Sequence, residues 1–337
     1  MAPTAIDDPI MTLDGLTMSP PKVVGPSTKT ATRPTNKIPQ WLIDGARIPK
    51  HEKECFNANT HLNFQPPNKI YTMKEIGLAG HGISPNAVSE PFPLFSEEAI
   101  RQMRAEIFSE DVMENCQYES TFIKNMVRGM GTSRAPFCYD AWNSPEVLAK
   151  ISQVAGVELV PAIDFDIANV NISAGDGAAT VDLTAHKEKS LEDELSAVAW
   201  HFDSYPFVCV TMISDCTGMM GGETALRTAS GEVMKVRGPA MALGGRERIS
   251  MVTSFRPKSP FLKDETVLTG IRGISILSDV YYQYTQYRLE NLEERIRARL
   301  KAERRREIAK RPFNIAEVRG FLTEQKKYLE AMLEEIY

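Results

Sequence analysis

The spacing of apolar residues along the chain predicts helices first, strands in the middle and helices again at the end. In residues 95–111, FSEEAIRQMRAEIFSED, the side chains of Ile100, Met103 and Ile107 recur at helical intervals, which predicts an amphipathic helix. Residues 143–156, NSPEVLAKISQVAG, open with a capping residue and a proline and end on a glycine. These are the usual start and stop signals of a helix.

The middle of the chain has the composition of β-strands. Four segments rich in β-branched and aromatic residues follow one another, at 157–173, 200–214, 224–238 and 248–257. A turn at Ser230-Gly231 divides the third segment into two arms. The polar, glycine-containing stretch between the first two segments predicts a long exposed loop. A strand-rich centre flanked by helices predicts an α+β protein with a central antiparallel sandwich or barrel.

From Leu277 onward the pattern is helical again. A first, heavily charged helix is followed by a second one at 315–336. The apolar stripe of the first helix consists of Leu289, Leu292, Ile296 and Leu300. This stripe fits either a cover over the core or the seam of a homodimer.

The composition excludes several classes of function. The chain has 337 residues, of which 42% are hydrophobic and 25% charged, and its net charge is −5, all ordinary values for a globular protein. Neither a nucleic-acid partner nor a membrane-spanning segment is indicated. An acidic N-terminus without a following apolar core predicts no secretory signal. Five cysteines without CxxC spacing predict free thiols, and therefore a cytoplasmic protein.

The pattern predicts one folded domain behind a leader. Residues 1–38 are rich in Pro, Thr, Ser and Lys and lack a hydrophobic period, which predicts a disordered leader. Residues 39–337 then form a single domain, with a helical C-terminal region at 270–337.

A histidine and an aspartate in the second strand-like segment are the first candidates for chemistry. In AWHFDSYPF (199–207), His201 lies two residues before Asp203 and between aromatic residues. Side chains two residues apart in a strand leave the same face, so an imidazole and a carboxylate lie side by side. They provide two of the three ligands of a 2-His-1-carboxylate iron site. A surface strand with a cross-strand hydrogen bond is the ordinary alternative.

Polar residues in other strands supply candidate binding groups. Arg248 and Ser250 lie on one face of a later strand, where a guanidinium and a hydroxyl suit a carboxylate bound at two points. Asn169 and Asn171 alternate with apolar residues and face either the interior, where they reach a substrate, or solvent. Arg256 is a candidate for a substrate carboxylate, with a surface salt bridge as the alternative.

Two stretches that carry these candidates, 200–239 and 242–257, resemble a fungal branch of the non-haem Fe(II)/2-oxoglutarate-dependent oxygenases. The similarity runs from about Pro39 to the C-terminus. It implies a double-stranded β-helix (jelly-roll) core at about 157–257 with flanking N-terminal and C-terminal helices. It also implies iron binding by His201 and Asp203, and 2-oxoglutarate binding by Arg248 and Ser250, with O2 as the other cosubstrate.

The chain departs from the family pattern at the distal histidine. The position eleven before Arg248 is Arg237, and no histidine follows His201 anywhere in the sequence. The family has a further strand between the two stretches, whereas here they meet at Met241-Ala242. Three explanations stay open. The sequence lacks a segment of the gene product, the deletion is natural and the protein inactive, or another residue completes the site, with His186 and Glu223 as candidates.

The resemblance also implies a function. Family members in fungal secondary metabolism act on amino acids or alkaloid intermediates, and they include an aziridine-forming amino-acid oxidase of quinazoline-alkaloid pathways. We therefore expect hydroxylation, desaturation or oxidative cyclisation of a small-molecule substrate. The alternative is a catalytically inactive jelly-roll protein that retains a carboxylate-binding pocket.

Overall fold

The computed structural model of the protein describes residues 10–11, 17–18, 38–119, 123, 125–174, 202–215, 224–236 and 247–337. The α-helices in these ranges are α1 (Gln40–Ala46), α2 (Ala58–His61), α3 (Glu97–Ile107), α4 (Glu110–Asn115), α5 (Gly131–Arg134), α6 (Pro136–Asn143), α7 (Pro145–Ala155), α8 (Leu277–Ile308) and α9 (Ile315–Glu335). The strands are β1 (Ile10–Met11), β2 (Thr17–Met18), β3 (Ile70–Thr72), β4 (Asn86–Ser89), β5 (Gln117–Tyr118), β6 (Met126–Val127), β7 (Leu159–Pro161), β8 (Asn169–Ala174), β9 (Phe207–Met212), β10 (Thr224–Arg227), β11 (Val233–Val236) and β12 (Glu247–Pro257).

Strand β12 is the centre of a six-stranded antiparallel sheet. It pairs with β9 along one edge, and along its other edge with β8 and then β7. Strands β6 and β5 extend the sheet beyond β8. The pairs β1–β2, β3–β4 and β10–β11 form separate two-stranded sheets. The described structure is therefore α+β with an antiparallel central sheet, as the sequence predicts.

Helices cover one face of this sheet and build the larger core. Alternate residues of β12, including Ile249, Met251 and Phe255, are fully buried against this helical layer. The ring of Phe255 packs edge-on against that of Trp142 in α6, with 5.8 Å between centroids. Because side chains alternate along β12, its odd-numbered residues face the helices and its even-numbered residues lie on the opposite face of the sheet.

The capping residues decide the outcome for the two helices predicted before the strand-rich centre, at 95–111 and 143–156. The helix predicted at 143–156 is confirmed as α7, because the Ser144 side chain accepts a hydrogen bond from the backbone of Val147 and Gly156 ends the helix at φ +75°. The helix predicted at 95–111 is two helices. Ser109 interrupts it, because its hydroxyl caps the new helix α4 by accepting from the amide of Val112.

The C-terminal helices pack on the opposite side of the sheet and build a second, smaller core. This cluster joins Tyr284 and Tyr287 of α8 to Tyr328 of α9, and includes Tyr118 and Met126 of the sheet. The two helices predicted from Leu277 onward are thus confirmed. The predicted apolar stripe of α8, however, does not pack over the core. Leu292 is partly buried, whereas Leu289, Ile296 and Leu300 are exposed.

Two strand predictions need correction. The segment 157–173 is not one strand, since the 3-10 turn Asp164–Asp166 separates β7 from β8. The segment 200–214 becomes a strand only at Phe207. Pro206, which precedes Phe207, has no N–H for a ladder hydrogen bond. The strand at 248–257 is confirmed in β12, as is the hairpin around Ser230-Gly231 in β10 and β11.

Some sequence predictions lie wholly or largely outside the described residues. They are the leader at 1–38, the loop that follows β8, and the junction at Met241-Ala242. The four cysteines that can be assessed, Cys55, Cys116, Cys138 and Cys209, are free thiols. Among the described helices, none combines the length and the apolarity that crossing a bilayer requires.

Candidate functional site

The row of β12 that faces away from the main helical layer carries the predicted binding residues. Arg248 and Ser250 lie two residues apart and therefore on the same face. The register places Ser250 directly opposite Asn171 on β8 and Met212 on β9. Directly opposite residues share a face and lie about 5 Å apart. The structure thus brings Arg248, Ser250 and Asn171 into one patch. We call the row of even-numbered residues of β12, on which this patch lies, the polar face.

The polar face also has apolar surface beside this patch. Val252 follows Ser250 on the face and lies opposite Val210 of β9, which is exposed. Ser250 itself is buried, and Asn171 and Arg248 are half-buried. Hydrogen-bonding groups next to the half-buried Val252 and the exposed Val210 suit a small ligand with a carboxylate and a short carbon chain.

The backbone around Arg248 is held by contacts to the helical layer. Arg104 of α3 binds the carboxylate of Glu247 through both terminal nitrogens, at 2.7 and 3.2 Å. The same guanidinium donates to the carbonyl of Ile213, at 2.8 Å. On the other side of Arg248, the amide of Ile249 donates to the Ser214 hydroxyl at 3.0 Å. Arg248 is therefore presented from a fixed stretch of strand, although its own side chain points away from these contacts.

A buried polar cluster adjoins this patch, since its member Asn169 lies two residues before Asn171 on β8 and directly opposite Val252. The carboxylate of Asp166 accepts hydrogen bonds from the guanidinium of Arg128, from the Asn169 amide at 2.5 Å and from the Tyr205 hydroxyl at 2.5 Å. All four side chains are buried. Burial raises the pKa of Tyr205 well above its usual value, and the Asp166 charge adds to the shift. The guanidinium of Arg128 and the hydroxyl of Tyr205 together compensate the buried carboxylate.

Sequence reasoning missed this cluster. Its members come from the segment after β6, the 3-10 turn, the start of β8 and the segment before β9, so no motif joins them. The only signal is the aspartate pair of DFD at 164–166 within an apolar stretch. The cluster also fixes the role of Asn169, whose amide nitrogen is used by Asp166. Its Oδ1 and the Nε of Arg128 are buried and have no hydrogen-bond partner among the described residues.

Arg256 is not part of the patch around Arg248. The two lie eight residues apart on one continuous strand, which corresponds to about 26 Å at 3.3 Å per residue. The Nε of Arg256 donates to the Ala162 carbonyl at 3.3 Å, and its guanidinium lies 4.5 Å from the centre of the Tyr287 ring. A small substrate cannot contact both arginines.

The predicted iron ligands are only partly within the described residues. Asp203 is exposed and lies four residues before β9 begins. Its neighbour Ser204 is held by the amide of Gly270, which donates to the Ser204 hydroxyl at 3.1 Å. His201 and both candidate replacements for the third ligand, His186 and Glu223, lie outside the described ranges. Within those ranges, no three His, Cys, Asp or Glu side chains form a group that could hold a metal ion.

Comparisons with known proteins leave the fold and the geometry as the basis for assignment. No family model matches the chain, and no match is found among curated proteins or solved structures.

Proposed function

We propose that the protein binds 2-oxoglutarate, or a dicarboxylate very like it, at Arg248 and Ser250. The proposal extends to the class implied by the sequence: an Fe(II)/2-oxoglutarate-dependent oxygenase with a double-stranded β-helix core, acting on a small amino acid or alkaloid intermediate. The observation that carries it is the register of β12, which puts Arg248, Ser250 and Asn171 on one face. The backbone around them is anchored by Arg104 and Glu247.

Each residue of the patch has a distinct role in this proposal. The Arg248 guanidinium donates two parallel N–H groups to one carboxylate, a geometry that a lysine cannot reproduce. The Ser250 hydroxyl donates to the same carboxylate from two residues further along the strand. Asn171, opposite Ser250, offers an amide N–H to a second oxygen of the ligand. Val252 and Val210 contact the carbon chain and displace water from it.

The described residues fit the dicarboxylate better than they fit the metal. Asp203 is the only predicted iron ligand among them, and the sequence contains no histidine after His201. When bound in such enzymes, the iron supplies the activation of O2. The donor set among the described residues does not form a three-ligand site.

Calorimetric titration of 2-oxoglutarate without added metal tests the binding. The expected result is saturable binding that Arg248→Ala weakens tenfold or more, since a charge-assisted hydrogen bond is worth about 1.5–3 kcal/mol. Ser250→Ala should weaken it less, because it removes a neutral donor. Arg256→Ala is the matched control, being an arginine on the same strand and face. Equal binding by wild type and Arg248→Ala would refute the proposal.

The second candidate function is dicarboxylate binding without catalysis. This candidate is favoured by the sequence, which contains no histidine after His201 to complete an iron site. Anaerobic Fe(II) titration, followed by an aerobic assay for succinate with amino-acid substrates, separates the two candidates. Stoichiometric iron binding and succinate formation, both lost in Asp203→Ala, support the oxygenase. Binding of 2-oxoglutarate with neither property supports the inactive protein.

A further inference from the structure

The two C-terminal helices expose an apolar surface on one side of the hairpin that they form. Its six central residues are Leu289, Ile296 and Leu300 of α8 and Leu322, Leu329 and Leu333 of α9. Each of them is between 41 and 74% exposed. Isolated exposed leucines are common on protein surfaces, but a contiguous set of this size marks an interaction surface. We call this set the hairpin face.

The contacts between the helices show that both stripes lie on the same side. Arg288 and Arg295 of α8 stack on Tyr328 of α9, at 4.4 and 4.3 Å from the ring centre. The next residue along α8, Leu289, and the next along α9, Leu329, are each rotated by about 100° from this contact. Because the helices run antiparallel, rotation in the chain direction turns both side chains to the same side of the hairpin. The stripes therefore form one continuous surface.

The size of the hairpin face suits a specific partner. From Leu289 to Ile308, α8 rises about 1.5 Å per residue and so extends for about 30 Å. Two helices packed 8–10 Å apart give a width of about 18–20 Å. The resulting area is on the order of 600 Å² per copy, so a pair of such faces approaches the lower end of stable protein interfaces, about 1,200 Å².

Charges along α8 are arranged for pairing with a second copy. On the outer flank of the stripe, Glu290 and Glu293 precede Lys301 and Arg304. The position midway between Glu290 and Arg304 is Arg297, and the same residue is midway between Glu293 and Lys301. A two-fold axis across the helix at Arg297 therefore places each of these acidic residues opposite a basic residue of the other copy. Arg297 meets its own counterpart at the axis, and its charge is balanced by an ion pair with Glu293 of its own helix at 2.6 Å.

The charges of α9 give the same centre independently. Its outer flank carries Arg319 near the hairpin tip and, near the base, Glu330, which also pairs with Lys326 of the same helix at 3.5 Å. The point midway between them adjoins Gln325, whose Oε1 accepts from Arg295 of α8 at 3.5 Å. Arg295 is two residues, or about 3 Å, from Arg297. One axis thus satisfies the charges of both helices.

We propose that the hairpin face is the interface of a two-fold symmetric homodimer, in which the base of each hairpin lies on the tip of the other and the four helices form an antiparallel bundle. The last residue of α8 that is buried is Arg295, so the following thirteen residues project from the domain by about 20 Å. The tip of the hairpin is the turn between α8 and α9, and its base is the end next to the rest of the domain. Pairing of the base with the tip of the other copy keeps the two domains at opposite ends of the bundle. Glu290 at the base of the face argues against an anionic lipid surface as the occupant, since such a surface would repel it whereas a second copy offers it Arg304.

Sedimentation velocity of the full chain over a range of concentrations tests the interface. Wild type is expected to dimerise at micromolar concentration, and Ile296→Glu combined with Leu329→Glu should raise the dissociation constant more than a hundredfold. Phe261→Glu is the control, since Phe261 is as exposed but lies outside both helices. Circular dichroism and thermal melting establish that each variant is folded. A wild-type monomer at 100 µM, or a dimer unaffected by the double substitution, would overturn the proposal.

Charge exchange tests the symmetry. Glu290→Arg and Arg304→Glu, each alone, should weaken dimerisation several-fold, because each places like charges opposite one another. The two together in one chain should restore it. Failure of the double variant to recover would exclude the axis at Arg297. Flotation with phosphatidylcholine–phosphatidylserine vesicles completes the test, since vesicle binding by a monomeric wild type that the Ile296→Glu, Leu329→Glu variant loses would assign the face to a lipid surface instead.

Discussion

The two faces of strand β12 are built from the same eleven residues and have opposite requirements. On one face Ile249, Met251 and Phe255 meet the helical layer, where only size and shape matter. On the other face Ser250 and Ser254 are also buried, although they are polar. A face that served only to pack against a second layer would gain more from aliphatic residues.

The polar face is itself divided along its length. Towards the end at Arg256 the protein uses its polar groups itself: Arg256 contacts the Tyr287 ring and the Ala162 carbonyl, and Asn169, opposite Val252, donates to Asp166. At the other end the backbone around Arg248 is anchored, and Ser250 lies beside Val252 and the exposed Val210. We propose ligand binding at this second end only.

The largest effect is expected from the apolar face. Phe255→Ala removes a fully buried ring that packs on Trp142 and should lower the free energy of unfolding by about 3–5 kcal/mol. Val252→Ala, on the half-buried polar face, is the matched control and should lower it by about 1 kcal/mol or less. Urea denaturation measures both. Similar losses in the two variants would show that the faces are packed equally.

The apolar face was predictable from the sequence and the polar cluster was not. Alternation along 248–257 and the signals around Pro145 and Gly156 are local, so a single segment contains the whole cause. The strand bounds failed at Pro206, which is a local signal, and at a turn that depends on a long-range contact. Pro206 and the Asp164–Asp166 turn break the period, and the turn is held by Arg128, which lies 38 residues before Asp166.

The candidate site divides in the same way. That Arg248 and Ser250 share a face follows from their spacing alone. That Asn171 joins them depends on strand register, which no single segment of the sequence contains. That Arg256 lies too far away follows from its spacing along the strand. Likewise, an exposed stripe in α8 has the same sequence pattern as a buried one, and only the position of α9 distinguishes them.

A smaller effect is expected in the buried polar cluster around Asp166. Tyr205→Phe removes one hydrogen bond to the buried carboxylate of Asp166 and should lower the free energy of unfolding by about 1.5–3 kcal/mol at pH 7. Affinity for 2-oxoglutarate should stay within twofold of wild type, because Tyr205 is buried and its hydroxyl donates to Asp166. A loss of affinity without a loss of stability would instead make Tyr205 a ligand-binding residue.

Alkaline titration sharpens this prediction. Burial first, and then the Asp166 charge, raise the pKa of Tyr205 in the folded protein. An unfolded tyrosine ionises at about pH 10. Its contribution to stability is therefore complete below about pH 10 and is lost as the pH rises through the folded pKa. The difference in stability between wild type and Tyr205→Phe should shrink above pH 10, and an unchanged difference at pH 11 would contradict the assignment.

The smallest effect is expected from Arg256, which shares its strand and its face with Arg248. Loss of its contact with the Tyr287 ring and of its hydrogen bond to the Ala162 carbonyl should lower the free energy of unfolding by about 1 kcal/mol in Arg256→Ala. Its 2-oxoglutarate affinity should stay within twofold of wild type, whereas Arg248→Ala should lose affinity tenfold or more. Paired urea denaturation and calorimetry measure both quantities in both variants. If the two arginines affected affinity equally, the ligand would have to span the whole face, and the separation of binding from stability along β12 would be wrong.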